Sequence, residues 1–145
     1  MLMIMKMQRL FFVILFIFIF NPAVFASEIK NKLKQNDGIY TENTLNIIVS
    51  KDHPEFTLKL KSNPTTGFSW FLREYSRNLV KPLKHSFQKP TQQLMGAPGY
   101  EWWTFRIKPA GFIVPQSTTV RMIYARPWQG MDNSIQLIFR ISTIS

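Results

Sequence analysis

The chain has 145 residues, no cysteine, and 18 basic against 8 acidic side chains, a formal charge of +10 at neutral pH. Lack of cysteine excludes a disulfide, a thiolate metal site, a cysteine nucleophile and a lipid-modified cysteine anchor, so packing alone must hold the fold. Positive charge favours acidic partners, but beyond Lys30, Lys32 and Lys34 the basic residues are scattered along alternating segments. That is the pattern of solvated strand faces, and no nucleic-acid partner is expected.

The N-terminus has the layout of a secretory signal. Lys6 and Arg9 precede the unbroken apolar run Leu10 to Phe20, Asn21-Pro22 breaks it, and Val24-Phe25-Ala26 ends on the small residue that signal peptidase needs. The run is short for a membrane span of roughly 20 residues. The expectation is therefore a signal peptide over residues 1–26, export to the periplasm or beyond the cell, and no stable membrane anchor after cleavage. Removing 26 of 145 residues leaves 119, enough for one domain with its own core. Removing Lys6 and Arg9 from the 18 basic residues leaves 16 against 8, or +8.

Ser27 to Gly38 is polar and lacks apolar periodicity, which predicts a flexible lead-in running to residue 43, ahead of a domain over 44–145. Thr44 to Ser50 reads as a strand with Leu45, Ile47 and Val49 on one side. Phe56, Leu58 and Leu60 alternate with Thr57, Lys59 and Lys61, the clearest half-buried strand of the chain. Ser69 to Tyr75 places Trp70 and Leu72 on one face. Leu79 to Phe87 predicts a short edge strand, because Pro82 interrupts it and proline is tolerated at a sheet edge.

In Tyr100 to Lys108 the residues Trp102, Thr104 and Arg106 lie opposite Glu101, Trp103, Phe105 and Ile107, so one of the two adjacent tryptophans faces outward. Val120, Met122 and Tyr124 alternate with Arg121, Ile123 and Ala125. Ile135, Leu137, Phe139 and Ile141 alternate to the end. About seven short strands, divided by proline and glycine turns and with no amphipathic helix after the signal, predict an all-β sandwich or small barrel.

Catalytic chemistry has little to stand on. Asp52-His53-Pro54-Glu55 groups three ligand-type side chains, but strand alternation sends neighbours to opposite faces and the proline marks a turn. His85 stands alone, and no nucleophile elbow, metalloprotease, P-loop or dinucleotide motif is present. No catalytic residue, metal or cofactor is assigned, although a serine-histidine-acid triad assembled in space is not visible in sequence.

The loops carry the distinctive residues. In Asn63-Pro64-Thr65-Thr66-Gly67-Phe68 proline fixes φ near −65° and restricts Asn63, the threonines are stiff at χ1, and Gly67 permits a positive φ. Gly96-Ala97-Pro98-Gly99 makes a turn or passes close to a partner. Arg126-Pro127-Trp128 presents a cation, a bend and an amphipathic ring, with Trp128 expected to be exposed; Arg and Trp are enriched at interface hot spots.

These three motifs, in this order and each bounded by a strand-like run, resemble the chagasin-type inhibitors of papain-like cysteine proteases from about Thr44 to the end. The resemblance implies an immunoglobulin-like antiparallel β-sandwich acting as a monomer and without a cofactor. It implies reversible, competitive inhibition in which Asn63 to Phe68 enters the protease cleft, Thr65 and Thr66 lie nearest the catalytic Cys and His with their hydroxyls free to bond there, and the other two loops grip the sides. The chain departs from the family pattern at Gly111-Phe112-Ile113-Val114-Pro115-Gln116-Ser117, where a compact Pro-Gly turn is usual, and in the bulk of Trp102-Trp103. An exported adhesion or assembly module on the same sandwich is the alternative, since fold alone does not fix function.

Overall fold

Alternation of apolar and polar side chains builds eight strands in the computed structural model, which describes residues 38–91, 97–130 and 134–144. In chain order they are β1 (Ile39–Tyr40), β2 (Asn46–Ser50), β3 (Glu55–Ser62), β4 (Ser69–Tyr75), β5 (Val80–Gln88), β6 (Gly99–Ile107), β7 (Ser117–Ala125) and β8 (Ile135–Ile144). Two four-stranded sheets form, one in the order β1-β3-β6-β5 and the other β2-β8-β7-β4. The expected all-β, immunoglobulin-like sandwich is what the chain adopts. The expected signal peptide, most of the lead-in and Gly96 lie outside the described residues.

Facing side chains of the two sheets fill the space between them. Phe56, Leu58 and Leu60 of β3 and Phe105 and Ile107 of β6 meet Val120 and Met122 of β7 and Phe139 and Ile141 of β8, all fully or almost fully buried. Phe56 and Phe105, directly paired across β3 and β6, stack with ring centroids 5.3 Å apart. Each such ring withdraws 150–250 Å² from water, so burial of this kind stabilises a sandwich that has no covalent cross-link. Tyr40 adds a tie between the sheets: its hydroxyl donates to the Ile48 carbonyl at 3.4 Å, and burial pushes its phenol above the ordinary tyrosine range.

The main pairings are antiparallel, but β1 runs parallel to β3 and β2 parallel to β8. The first described segment therefore divides itself between the sheets, turning where Thr44 N–H donates to Thr41 O at 2.9 Å. Strand β1 thus lies before Thr44, within the stretch expected to be a lead-in. Two residues are too few for alternation to reveal, and only the pairing to Thr57 and Leu58 makes β1 a strand. Pro82 does sit on an edge strand, where the β5–β6 register shifts between Pro82 and Lys84, although β5 reaches nine residues. Of the adjacent tryptophans, Trp103 lies on the core side beneath His85, with ring centroids 4.0 Å apart. Trp102 faces outward and donates its indole N–H to Gln88 Oε1 at 3.0 Å.

Register places the motifs. β6 is antiparallel to β3 with Gly99 opposite Ser62, and β7 is antiparallel to β4 with Ala125 opposite Ser69. The β3–β4, β5–β6 and β7–β8 loops accordingly emerge at one end. The β2–β3, β4–β5 and β6–β7 loops, including the exposed Ile113 and Val114, lie at the other.

Candidate functional site

The β3–β4 loop is stiffened from within. Pro64–Thr66 forms a single 3-10 turn with the proline at its start, closed by Thr66 N–H to Asn63 O at 3.1 Å and Gly67 N–H to Pro64 O at 2.9 Å. Gly67 ends it with φ 81°, the left-handed region in which glycine has no steric penalty. Thr65 Oγ1 donates to Asn63 Oδ1, and Thr66 Oγ1 donates to Asn63 O, both at 2.6 Å. The hydroxyl protons expected to be free for a partner are therefore used inside the loop, leaving the exposed threonines to offer oxygen lone pairs and methyl groups. At the base, Asn63 N–H donates to the Tyr124 hydroxyl at 2.8 Å, tying the loop to β7.

Arg126 joins this loop to the next. Its Nε donates to Thr66 O at 2.9 Å, its Nη1 donates to Gln129 Oε1 at 3.0 Å, and its guanidinium carbon lies 4.4 Å from the Phe68 ring centroid. Phe68 stacks on Tyr124 at 5.2 Å, and Tyr124 meets Trp70 at 5.0 Å. One column of planar groups thus descends from Arg126 at the surface to Trp70 in the core. Trp128 is exposed as expected, at 71%, yet it is seated: a Cβ built on Gly67 would lie 2.8 Å from Trp128 Cζ2 and Cη2. Phe68, held between Arg126 and Tyr124, braces the loop.

Gly67→Ala is consequently expected to strain the turn and displace Trp128 together. The left-handed conformation costs an alanine about 1 kcal/mol, roughly a fivefold loss of the competent loop, and fluorescence of Trp128 should report the displacement. Spectra and affinity identical to wild type would refute the coupling.

The third loop contributes differently. Pro98 is exposed and, with Asn63, Trp70, Tyr124 and Ile135, lines an apolar groove of about 300 Å³ that separates it from the central loop. Gly99, read in sequence as part of a turn or of a close approach to a partner, is buried at the start of β6. A Cβ there would lie 2.4 Å from the Gln88 carbonyl oxygen and 2.6 Å from the Phe87 ring, so its missing side chain makes room for β5.

No group of three or more His, Asp or Glu side chains converges as a metal site among the described residues. His53 lies in the β2–β3 loop at the far end, where Glu55 is engaged by Arg106 Nε at 2.9 Å. His85 meets Glu101 Oε2 at 2.9 Å, and Ser62 Oγ donates to Glu101 Oε1 at 2.6 Å. In that row the carboxylate stands between serine and histidine, whereas nucleophile activation requires the histidine in the middle. Ser62 is also 1% exposed, out of reach of a substrate.

The family described as Chagasin family peptidase inhibitor I42 matches residues 51–142, a stretch that begins before the first motif and ends after the last. The chain belongs to this family. Over 77 residues, half of this chain and 66% of the relative, it is 32% identical to chagasin of Trypanosoma cruzi. Among solved structures, the cysteine protease inhibitor EhICP2 of Entamoeba histolytica superposes with a TM-score of 0.55 at 19% identity, covering 74% of this chain and 93% of that one. Amebosin gives 0.56 at 17% identity, covering 74% and 96%. PbICP-C, solved in complex with falcipain-2, gives 0.51 at 13% identity, covering 72% and 87%. These three structural likenesses carry the fold, and the family match carries the class: a peptidase inhibitor, not an enzyme.

Within this chagasin-family chain, two site residues have roles that the sequence reading did not assign. Tyr124 read as one more apolar strand position, yet its hydroxyl holds Asn63, a pairing fixed by the β4–β7 register across 61 residues. Glu101 shares its face of β6 with Trp103, Phe105 and Ile107, and a carboxylate at an inward strand position is the signal that could have found it.

Proposed function

We propose that this protein is a reversible, competitive inhibitor of papain-like cysteine proteases, and that Asn63, Pro64, Thr65, Thr66, Gly67 and Phe68 form the loop that enters the cleft. Ala97 and Pro98 flank it on one side, with Gly96 and Gly99 framing that flank, and Arg126, Pro127 and Trp128 flank it on the other. The observation that supports this most directly is the Arg126 to Thr66 hydrogen bond, which assembles two of the three loops before any partner arrives. Surfaces already ordered lose little conformational entropy on binding.

The loop also explains why it would block without being cut. Cleavage requires the chain to lie extended across the catalytic pair, but Thr65 and Thr66 sit in a 3-10 turn closed by two backbone and two side-chain hydrogen bonds. Drawing it out would break all four. A stable complex of this kind buries about 1,600 Å² in total. The falcipain-2 complex of a structural neighbour is consistent with such a partner. We further propose export, with cleavage after Ala26 and action in the periplasm or outside the cell.

Steady-state inhibition of papain by the purified Ser27 to Ser145 chain tests the reading. Wild type is expected to inhibit competitively, and the combined Thr65→Ala, Thr66→Ala, Trp128→Ala variant should be at least tenfold weaker. Much of the loss from Trp128 should appear as faster dissociation, because anchors set residence time. A folded wild-type chain that leaves papain and related cysteine proteases untouched at micromolar concentration would end the proposal.

A further inference from the structure

A carboxyl group in the core of a cysteine-free sandwich is costly unless every polar contact around it is used. Glu101 is 3% exposed, and its neighbours on the same face of β6 are Trp103, Phe105 and Ile107. Its contacts are specific to the loop end of the molecule. Oε1 accepts the Ser62 hydroxyl at 2.6 Å and the Trp70 backbone N–H at 3.0 Å. Oε2 meets His85 Nε2 at 2.9 Å. Ser62 is the last residue of β3, Trp70 the second of β4, and these strands belong to opposite sheets.

One carboxyl oxygen therefore spans the two ends of the Asn63 to Ser69 connection, and the other fastens that node to the edge strand β5. A second cross-tie lies at the same level, where Trp70 Nε1 donates to Lys61 O at 2.8 Å. We infer that Glu101 is a positioning residue for inhibition: it fixes the separation and direction of the strands from which the central loop springs, and thereby the attitude at which that loop meets a protease. The inference rests on the inhibitor reading above. Its physical basis is that the loop's internal hydrogen bonds set its shape, but only its two roots set its orientation. Those roots have no shared backbone ladder, because β3 and β4 lie in different sheets. Glu101 links them by side chain, beside the Trp70 to Lys61 tie.

Stability and orientation respond differently to substitution, which separates a positioning role from a merely structural one. In Glu101→Gln the amide carbonyl accepts the same two donors and the amide N–H faces His85 Nε2, which accepts in the tautomer that carries its proton on Nδ1, so the node persists. In Glu101→Leu the node is lost, and the buried Ser62 hydroxyl and Trp70 N–H are left without their acceptor, so stability is expected to fall as well. The expected result is an inhibition constant for papain within threefold of wild type for Glu101→Gln. For Glu101→Leu it should rise at least tenfold, carried by slower association, at a temperature where circular dichroism shows both variants fully folded. An equal rise in both variants, or a rise in neither, would overturn the assignment.

Amide hydrogen exchange on the free protein gives a readout independent of any protease. Exchange at Trp70 N–H should accelerate at least tenfold in Glu101→Leu and stay near wild type in Glu101→Gln; equal protection in all three proteins also overturns it. If wild type itself fails to inhibit, the inhibitor reading is what has failed, and exchange alone decides whether Glu101 fixes the loop roots. Should Glu101→Leu not fold, Ser62→Ala removes one donor with minimal change of volume. It is expected to raise the inhibition constant at least threefold, and no change would count against the proposal.

Discussion

Gly99→Ala is expected to lower the midpoint of thermal unfolding by about 10 °C. The added methyl group would lie 2.4 Å from the Gln88 carbonyl oxygen, which is backbone and is held in the β5–β6 ladder where Gln88 opposes Tyr100. The Phe87 ring blocks retreat in the other direction at 2.6 Å. Overpacking of this kind costs about 2 kcal/mol, and each kcal/mol moves the midpoint of a domain this size by roughly 4–8 °C. Circular dichroism during a thermal scan measures the shift. If Gly99 instead served close approach of the protease, alanine would weaken inhibition and leave the melting temperature within about 2 °C of wild type, and that outcome would remove the internal role argued here.

Gly99 also shows where sequence reading reaches its limit. Two glycines around a proline signal a turn or a close approach, and close approach is what Gly99 provides. Which surface comes close depends on the β5–β6 pairing, a contact no local pattern contains. The same division runs through the molecule. Strands β2, β3, β6, β7 and β8 are legible because inward and outward positions alternate along them, and Pro82 marks β5 as an edge because it cannot donate to a ladder. The parallel pairings of β1 and β2 leave no such trace. A two-residue strand has no period, and parallel or antiparallel partners bury the same face.

Within the site, the three loop motifs are legible as shaped or anchoring segments, and the turn at Pro64–Thr66 with its left-handed Gly67 follows from residue chemistry. Their mutual arrangement is not. Arg126 reads in sequence as a cation offered to a partner. Its donors in fact turn to Thr66 and Gln129, and its plane lies on Phe68. The threonine hydroxyls likewise read as free donors and are used by Asn63. In both cases a polar side chain finds a partner within its own protein first, since an isolated loop with unmet donors would not hold one shape. Trp128 alone keeps the outward role read from sequence, because the Gly67 surface beneath supports its ring without enclosing it.

Arg126→Ala is therefore expected to weaken inhibition by about 30-fold, chiefly through slower association. The substitution removes the donor to Thr66 O, the contact over Phe68 and the bond to Gln129 in one step. A hydrogen bond from a charged group contributes about 1.5–3 kcal/mol, and the ring contact about 0.5–1 kcal/mol at an exposed site. Exposure of the loops places the combined effect toward the lower end, near 2 kcal/mol, which is about 30-fold. The loss falls on association because a loop no longer held against its neighbour occupies the binding shape only part of the time, and apparent affinity drops by that fraction. Trp128→Ala, by contrast, leaves the assembled loops in place and acts on dissociation. Arg126→Lys separates charge from geometry: an ammonium keeps the cation but lacks the planar fork that donates to Thr66 and Gln129 while lying on a ring. It should be nearly as weak as Arg126→Ala. Stopped-flow association with papain distinguishes the cases, and a lysine variant that associates at the wild-type rate would mean that Arg126 works as a surface charge and not as the clamp between two loops.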